Sequence, residues 1–247
     1  MIFQSSLASL RRRVLDRLSP IYKGKKSFQG VVYRKKFESL EPLIDDHFSK
    51  HSESNHPCRG TLTTALETLG QRPAVIVETG SSAWGTNSSL LFDSYVNSFG
   101  GSFLSVDLRA EPMFTLRSLC TNRSTFYCDD SVSFLKQFAI QKTQPNLVYL
   151  DSWDLNWADP LPSALHGLHE FLAVLPLLRD GALLLVDDTP HNSDVMRRIE
   201  PAKVEEFDRF TKVYGFAPGK GALIKEFLVK NAIGREIKHD YQLLWEF

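Results

Sequence analysis

From position 74 onward the sequence alternates short runs of β-formers with stretches of helical spacing, and few architectures accommodate that rhythm. Residues 74–79, 102–106, 125–128, 147–150 and 182–186 read as strands. Between them, residues 87–99, 112–119, 132–141 and 163–178 read as helices, with Pro112 suited to a first turn and Gly100-Gly101 to a helix stop. Strands joined through helices lie parallel, so the expectation is an α/β fold: a doubly wound, mostly parallel, seven-stranded sheet. A last helix at 222–230 precedes two extended pieces, 235–238 and 241–245, that can pair antiparallel at the sheet edge.

Ahead of this region Leu7, Leu10, Val14 and Leu18 recur at helical spacing up to Ser19-Pro20. Residues 20–58 read as a polar, charged connector with room for short elements, and 61–69 as a helix closed by Gly70. The expected division is an N-terminal helical cap and connector over 1–70 and one α/β domain over 71–247. With 43% hydrophobic against 23% charged residues the chain can fill that interior. Lys plus Arg and Asp plus Glu both number 29, so no global field draws the protein to nucleic acid. The charge is uneven, with 12 basic and 6 acidic side chains through residue 60 and 17 and 23 beyond it. The basic arm, with Arg11, Arg12, Arg13, Lys23, Lys25, Lys26, Lys35 and Lys36, reads as a solvated face or as a surface for an acidic partner. Cys58, Cys120 and Cys128 form no C-x-x-C pair, which points to a reducing, cytoplasmic setting. The start has no basic region leading into an apolar one, and the run 171–185 is broken by Pro176, Arg179, Asp180 and Gly181. Neither a signal peptide nor a membrane span is expected. A homo-oligomer is compatible with the sequence.

The segment Val75-Ile-Val-Glu-Thr-Gly-Ser-Ser-Ala-Trp-Gly-Thr-Asn-Ser runs a buried strand through an acid into a small-residue turn before a helix. Such a turn at a strand's carboxyl end binds ligands, and Gly80 and Gly85 let backbone approach one closely. Thr86 and Asn87 stand where a P-loop needs Lys and a hydroxyl, so triphosphate lacks its counter-charge. Ser82 and Ala83 replace two glycines of the dinucleotide fingerprint. Glu78 would repel a pyrophosphate but tolerate a cationic sulfonium and amino group. Asp107 ends the next strand, where a carboxylate can accept both ribose hydroxyl protons, and Asp129-Asp130-Ser131 follows the third, where an adenine amino group can be met. Trp84 reads either as a cover for the ligand or as packing against the next helix.

On these residues the chain resembles the class I S-adenosylmethionine-dependent methyltransferases, clearly from position 74 to about 188 and weakly beyond. Glu78-Thr-Gly80 matches their first motif, Asp107 their ribose acid and Asp130-Ser131 their adenine-side motif. The resemblance implies a Rossmann-like fold that binds S-adenosylmethionine through Glu78, Gly80, Ser81, Gly85, Asp107, Asp130 and Ser131. The Gly80–Gly85 loop is one residue longer than in the catechol type.

Two further strands run into acid, one at Asp151 and one at Asp187-Asp188. Three carboxylates above a dry sheet either raise a pKa or hold a cation, and oxygen-only ligands suit Mg²⁺, Ca²⁺ or Mn²⁺. They could instead cap loops or touch the cofactor. Here the chain is similar to metal-dependent O-methyltransferases of the catechol and macrolide-sugar types, which implies Asp151, Asp187 and Asp188 as ligands of a divalent metal such as Mg²⁺. Asp154 stands where the catechol type has a basic lysine, so His169 and His191 are the expected acceptors of a hydroxyl proton. Lys220, in Pro-Gly-Lys-Gly, reads as part of a mobile lid or of a flexible turn. The expected function is methyl transfer to a hydroxyl of a small molecule or sugar. A nucleotide-dependent oxidoreductase would use the same Asp107, and a non-catalytic cofactor-binding protein would need none of the later acids.

Overall fold

The computed structural model describes residues 26–81 and 85–247. The amphipathic helix expected around Leu7 to Leu18, most of the basic arm, and Trp84 lie outside the described residues. The described strands are β1 (Lys26–Gln29), β2 (Ala74–Thr79), β3 (Gly101–Asp107), β4 (Ser124–Cys128), β5 (Leu147–Leu150), β6 (Leu183–Val186), β7 (Arg235–His239) and β8 (Leu243–Glu246). The helices are α1 (Leu40–Lys50), α2 (Arg59–Leu69), α3 (Ser88–Phe99), α4 (Ala110–Leu119), α5 (Ser131–Ile140), α6 (Leu161–Val174), α7 (Ser193–Ile199), α8 (Val204–Tyr214) and α9 (Ala222–Lys230).

The strands form one sheet in the order β1-β4-β3-β2-β5-β6-β8-β7. Its centre is parallel; β7 and β8 pair antiparallel, as expected from the sequence, and β8 also pairs antiparallel with β6. The sheet has eight strands rather than seven. The extra one, β1, pairs antiparallel with β4 at the far edge, inside the stretch expected to be a connector. Too short and polar to show alternation, it carries no pattern from which a strand can be read.

Strand periodicity divides the core in two. Ile76, Phe103, Leu147, Tyr149, Leu183 and Leu185 face one layer with α1 to α4, while Val77, Val106, Val148, Leu150, Leu184 and Val186 face the other with α5, α6 and α9. Helix α2 ends as predicted, with Gly70 in a positive-φ conformation. Two helices, α7 and α8, lie where no element is expected; Met196 and Phe207 pack with Trp157 in a small separate core. No described helix is long and apolar enough to cross a membrane.

Strand β2 sits between β3 and β5, and the chain leaves it in opposite directions on its two sides. That switch point opens a crevice at the carboxyl ends of β2 and β5, where open α/β sheets bind ligands. Asp107, Asp129, Asp130, Asp151, Asp187 and Asp188 lie at or just past strand ends on this rim.

Candidate active site

The two halves of the rim touch at Gly80. Its φ is 80°, and a Cβ there would stand 2.4 Å from the carbonyl oxygen of Asp151, so both conformation and space demand glycine. The turn after β2 and the exit of β5 are thus in van der Waals contact through backbone.

Glu78 does not face the ligand side of the turn. It is fully buried, and its two oxygens accept hydrogen bonds from Ser88, Ser89 and Ser105, each at 2.6 Å. Burial raises its pKa to about 7 against the lowering effect of those hydroxyls. The acid ties β2 and β3 to the start of α3 and so fixes the turn from beneath. Ser81 is also buried, its hydroxyl 2.5 Å from that of Ser105. Gly85, at the turn's other end, is exposed with φ 80°.

The stretch expected to be a connector grips this turn. His47 Nε2 lies 2.8 Å from the Thr86 carbonyl oxygen, the Ser52 hydroxyl donates to the Gly85 carbonyl at 2.6 Å, and Asn87 donates to the His51 carbonyl. Burial lowers the His47 pKa to about 4, so the ring is neutral. His56 stands over Gly85 and accepts at Nδ1 from the Cys58 amide at 3.3 Å, which leaves its proton on Nε2, 3.5 Å from the Thr86 hydroxyl. These partners lie 30 to 39 residues away in sequence, and no local pattern marks them.

Asp107 is 7% exposed at the end of β3, and Arg109 engages both its oxygens, at 3.0 Å and 2.7 Å. Asp130 caps α5 by accepting from the Ser133 amide at 2.8 Å. Ser131 Oγ meets His166 Nε2 at 3.1 Å; the same nitrogen is 2.9 Å from the Ser152 hydroxyl, which donates to the buried Glu170 at 2.6 Å. This chain links the ends of β4 and β5. Burial opposes a charge on His166, but Glu170 outweighs it and raises the pKa.

On the other half of the rim, Asp151, Asp187 and Asp188 each bring a carboxylate oxygen within 4.8 Å of the others. The pairing of β5 with β6 sets their strand ends side by side, and Asp188 completes the group from a left-handed φ of 42°, a strained conformation for a non-glycine residue. Gln242 donates to Asp187 at 2.7 Å, and the Tyr241 hydroxyl lies between Asp188, at 3.0 Å, and Glu200, at 2.7 Å, both Gln242 and Tyr241 standing beside β8. Burial and then the Asp187 charge push the Asp151 carboxyl well above the usual range. Burial likewise raises Asp188, whereas on Asp187 it is overcome by the Lys220 charge and by hydrogen bonds from Asp151 and Gln242, and that pKa falls. Three crowded oxygen donors short of positive charge fit a hard divalent cation.

Their only positive partner among the described residues is Lys220, whose side chain is 6% exposed and whose ammonium lies 2.7 Å from Asp151 and 3.1 Å from Asp188. The Pro-Gly-Lys-Gly segment is therefore seated in the site, neither a mobile lid nor a loose turn. The two expected proton acceptors lie elsewhere. His169 lines a surface groove between α5 and α6 with Lys136 and Leu172, and His191 stacks on His239 with ring centroids 4.7 Å apart. Neither forms a hydrogen bond or ion pair with the three acids; for His169, the roughly 60° between helix positions three apart turns it away from the rim face that His166 occupies.

No protein-family model and no curated protein matches the chain. Among solved structures it is similar to the MycE methyltransferase from the mycinamycin biosynthetic pathway. In that protein's complex with Mg, SAH and mycinamycin VI the identity is 16%, the TM-score 0.54, and the match covers 86% of this chain and 55% of that one. In its complex with Mg and SAH the identity is 14%, the TM-score 0.53 and the coverage the same. The O-methyltransferase from Bacillus cereus in complex with SAH matches at 15% identity over 87% of this chain and 94% of that one, with a TM-score of 0.44. The chain thus spans little more than half the length of MycE, and what the likeness shows is a shared fold.

Proposed function

We propose that this protein is an S-adenosylmethionine-dependent O-methyltransferase that acts on a hydroxyl of a small molecule or sugar with the help of a divalent metal, most simply Mg²⁺. The observation that carries the reading is the convergence of Asp151, Asp187 and Asp188 within 4.8 Å, in backbone contact with the turn after β2 through Gly80. The solved structure of MycE with Mg and SAH, on the same fold, supports it.

S-adenosylmethionine supplies a methyl group on a positively charged sulfur, and a divalent cation acidifies a hydroxyl beside it, as it lowers the pKa of water from 15.7 to about 7 in the strongest cases. The chain's own residues do the rest. Asp107, at the tip of β3, accepts from ribose hydroxyls, a role that requires Arg109 to share or yield its oxygens. Asp130 and Ser131 close the adenine side. Glu78, held by three serines, keeps the turn in place from below, while His47 and Ser52 hold it from the flank. The His56 Nε2–H, over Gly85, is placed to donate to an anionic end of the bound cofactor. Asp151, Asp187 and Asp188 hold the cation, with Gln242 and Tyr241 fixing the orientation of two of them. Much of the rate enhancement then comes from aligning acceptor oxygen, methyl carbon and sulfur.

The test is to incubate the protein with labelled S-adenosylmethionine, Mg²⁺ and a panel of hydroxylated acceptors, and to look for a methyl mass increment. A positive acceptor with loss of activity in chelator supports the reading. Binding of NADH in calorimetry, with no binding of S-adenosylmethionine or S-adenosylhomocysteine, sinks it.

A further inference from the structure

Lys220 has no room to be incidental. The segment that carries it is pinned on both sides: the Lys220 amide donates to the Asp188 carbonyl at 3.0 Å, and the Gly221 amide to the Thr189 hydroxyl at 2.9 Å. A Cβ on Gly219, whose φ is 147°, would stand 2.5 Å from the Asp188 carbonyl oxygen, and one on Gly167 of α6 would stand 2.5 Å from the Lys220 carbonyl. Two glycines, one in the segment and one in the helix above it, thus allow the backbone to sit flush against the exit of β6.

From that seat the ammonium spends its three protons within the site. They go to Asp151 Oδ1 at 2.7 Å, to the Asp151 carbonyl at 3.3 Å and to Asp188 Oδ2 at 3.1 Å. At these distances the ammonium forms a buried ion pair with each of the two carboxylates. A compact ammonium with oxygen partners on one side is the side-chain counterpart of a bound cation.

We infer, on the reading above, that Lys220 is a built-in competitor of the divalent ion: its ammonium closes the Asp151–Asp188 pair in the metal-free protein, and metal enters only as those bonds are given up. The lysine then serves two ends. It compensates a buried cluster of like charge that would otherwise weaken the fold, and it lowers metal affinity so that the ion is exchangeable rather than permanently held.

The experiment titrates Mn²⁺ into the full chain by calorimetry, for the parent, Lys220→Met and Lys220→Gln, and follows melting in chelator and in Mn²⁺. Lys225→Met is the control, since Lys225 pairs with Glu236 and touches none of the three acids. Both Lys220 variants are expected to bind Mn²⁺ at least about tenfold tighter than the parent, an effect of one unit charge at short range. In chelator they should melt roughly 5–10 °C lower, and Mn²⁺ should restore more of that loss than it adds to the parent. If the parent binds Mn²⁺ and the Lys220 variants bind it equally or more weakly, the lysine cooperates with the metal and the inference is wrong. If neither parent nor variants bind Mn²⁺, the metal reading itself falls and takes the inference with it. A Lys220→Met chain that fails to fold in chelator is prepared in Mn²⁺ and compared with Lys220→Gln, so the affinity is still read.

Discussion

The acids on the two halves of the rim are the same residue types at the same kind of place, yet their surroundings differ. At the ends of β2, β3 and β4 each carboxylate has its own protein donors: three serines for Glu78, an arginine for Asp107 and a backbone amide for Asp130. At the ends of β5 and β6 three carboxylates crowd together with neutral donors from Gln242 and Tyr241, and a single lysine pairs with Asp151 and Asp188. The first half is electrically finished before any ligand arrives; the second is short of positive charge. A carboxylate at a strand end therefore says little by itself, and its function follows from whether the protein has already satisfied it.

The contrast breaks first if the second half does not depend on a cation. Asp188→Ala is expected to cost more than about 100-fold in metal affinity, the upper end of what losing an outer partner of a metal ligand costs, with turnover falling in parallel. Calorimetric Mn²⁺ titration and a methyl-transfer assay in chelator measure both; full activity in chelator would reassign the acids to structure. A smaller effect is expected at Asp107. Asp107→Ala should weaken S-adenosylmethionine and S-adenosylhomocysteine together by roughly 10–100-fold, the worth of hydrogen bonds to a charged group, and leave Mn²⁺ binding unchanged. Equal affinity in the variant would mean that Asp107 serves Arg109 alone.

Glu78 sharpens the comparison through pH. Its pKa rises from 4.5 to about 7 on folding, so the folded protein holds this proton more tightly than the unfolded chain does. The associated stability is fully present below pH 4.5 and is lost as pH rises through 7, on the order of 3 kcal/mol over that window. Glu78→Gln removes the titration, so its stability relative to the parent should climb as pH goes from 4.5 to 7 in denaturant melts. A constant difference between the two would show Glu78 to be ionised throughout. Least affected should be His169→Ala and His191→Ala, with turnover within about threefold of the parent, because neither histidine touches the three acids. A drop of 10²–10⁴, typical for loss of a general base, would restore that role to one of them.

The sheet was legible because strands buried on both faces, such as Leu147–Leu150 and Leu183–Val186, read as short continuous apolar runs between helical stretches, a pattern that survives without any long-range information. The acids were legible as strand ends for the same reason. Lys220 was not: it lies 69 residues from Asp151, and glycine on both sides disguises a packed segment as a loose one. His47, Ser52 and His56 were equally hidden, since their partners across the turn are contacts of tertiary structure. The roles of His166 and His169 could be separated only by knowing which way α6 is turned about its axis, and spacing along a helix does not supply that.

The backbone contact between Gly80 and Asp151 makes the two halves a single lever. No side chain stands between the turn after β2 and the carbonyl of Asp151, so close packing leaves little slack between a ligand seated on one and a ligand seated on the other. In the proposed reaction, whatever factor the cofactor imposes on the affinity for the cation, the cation must return to the cofactor.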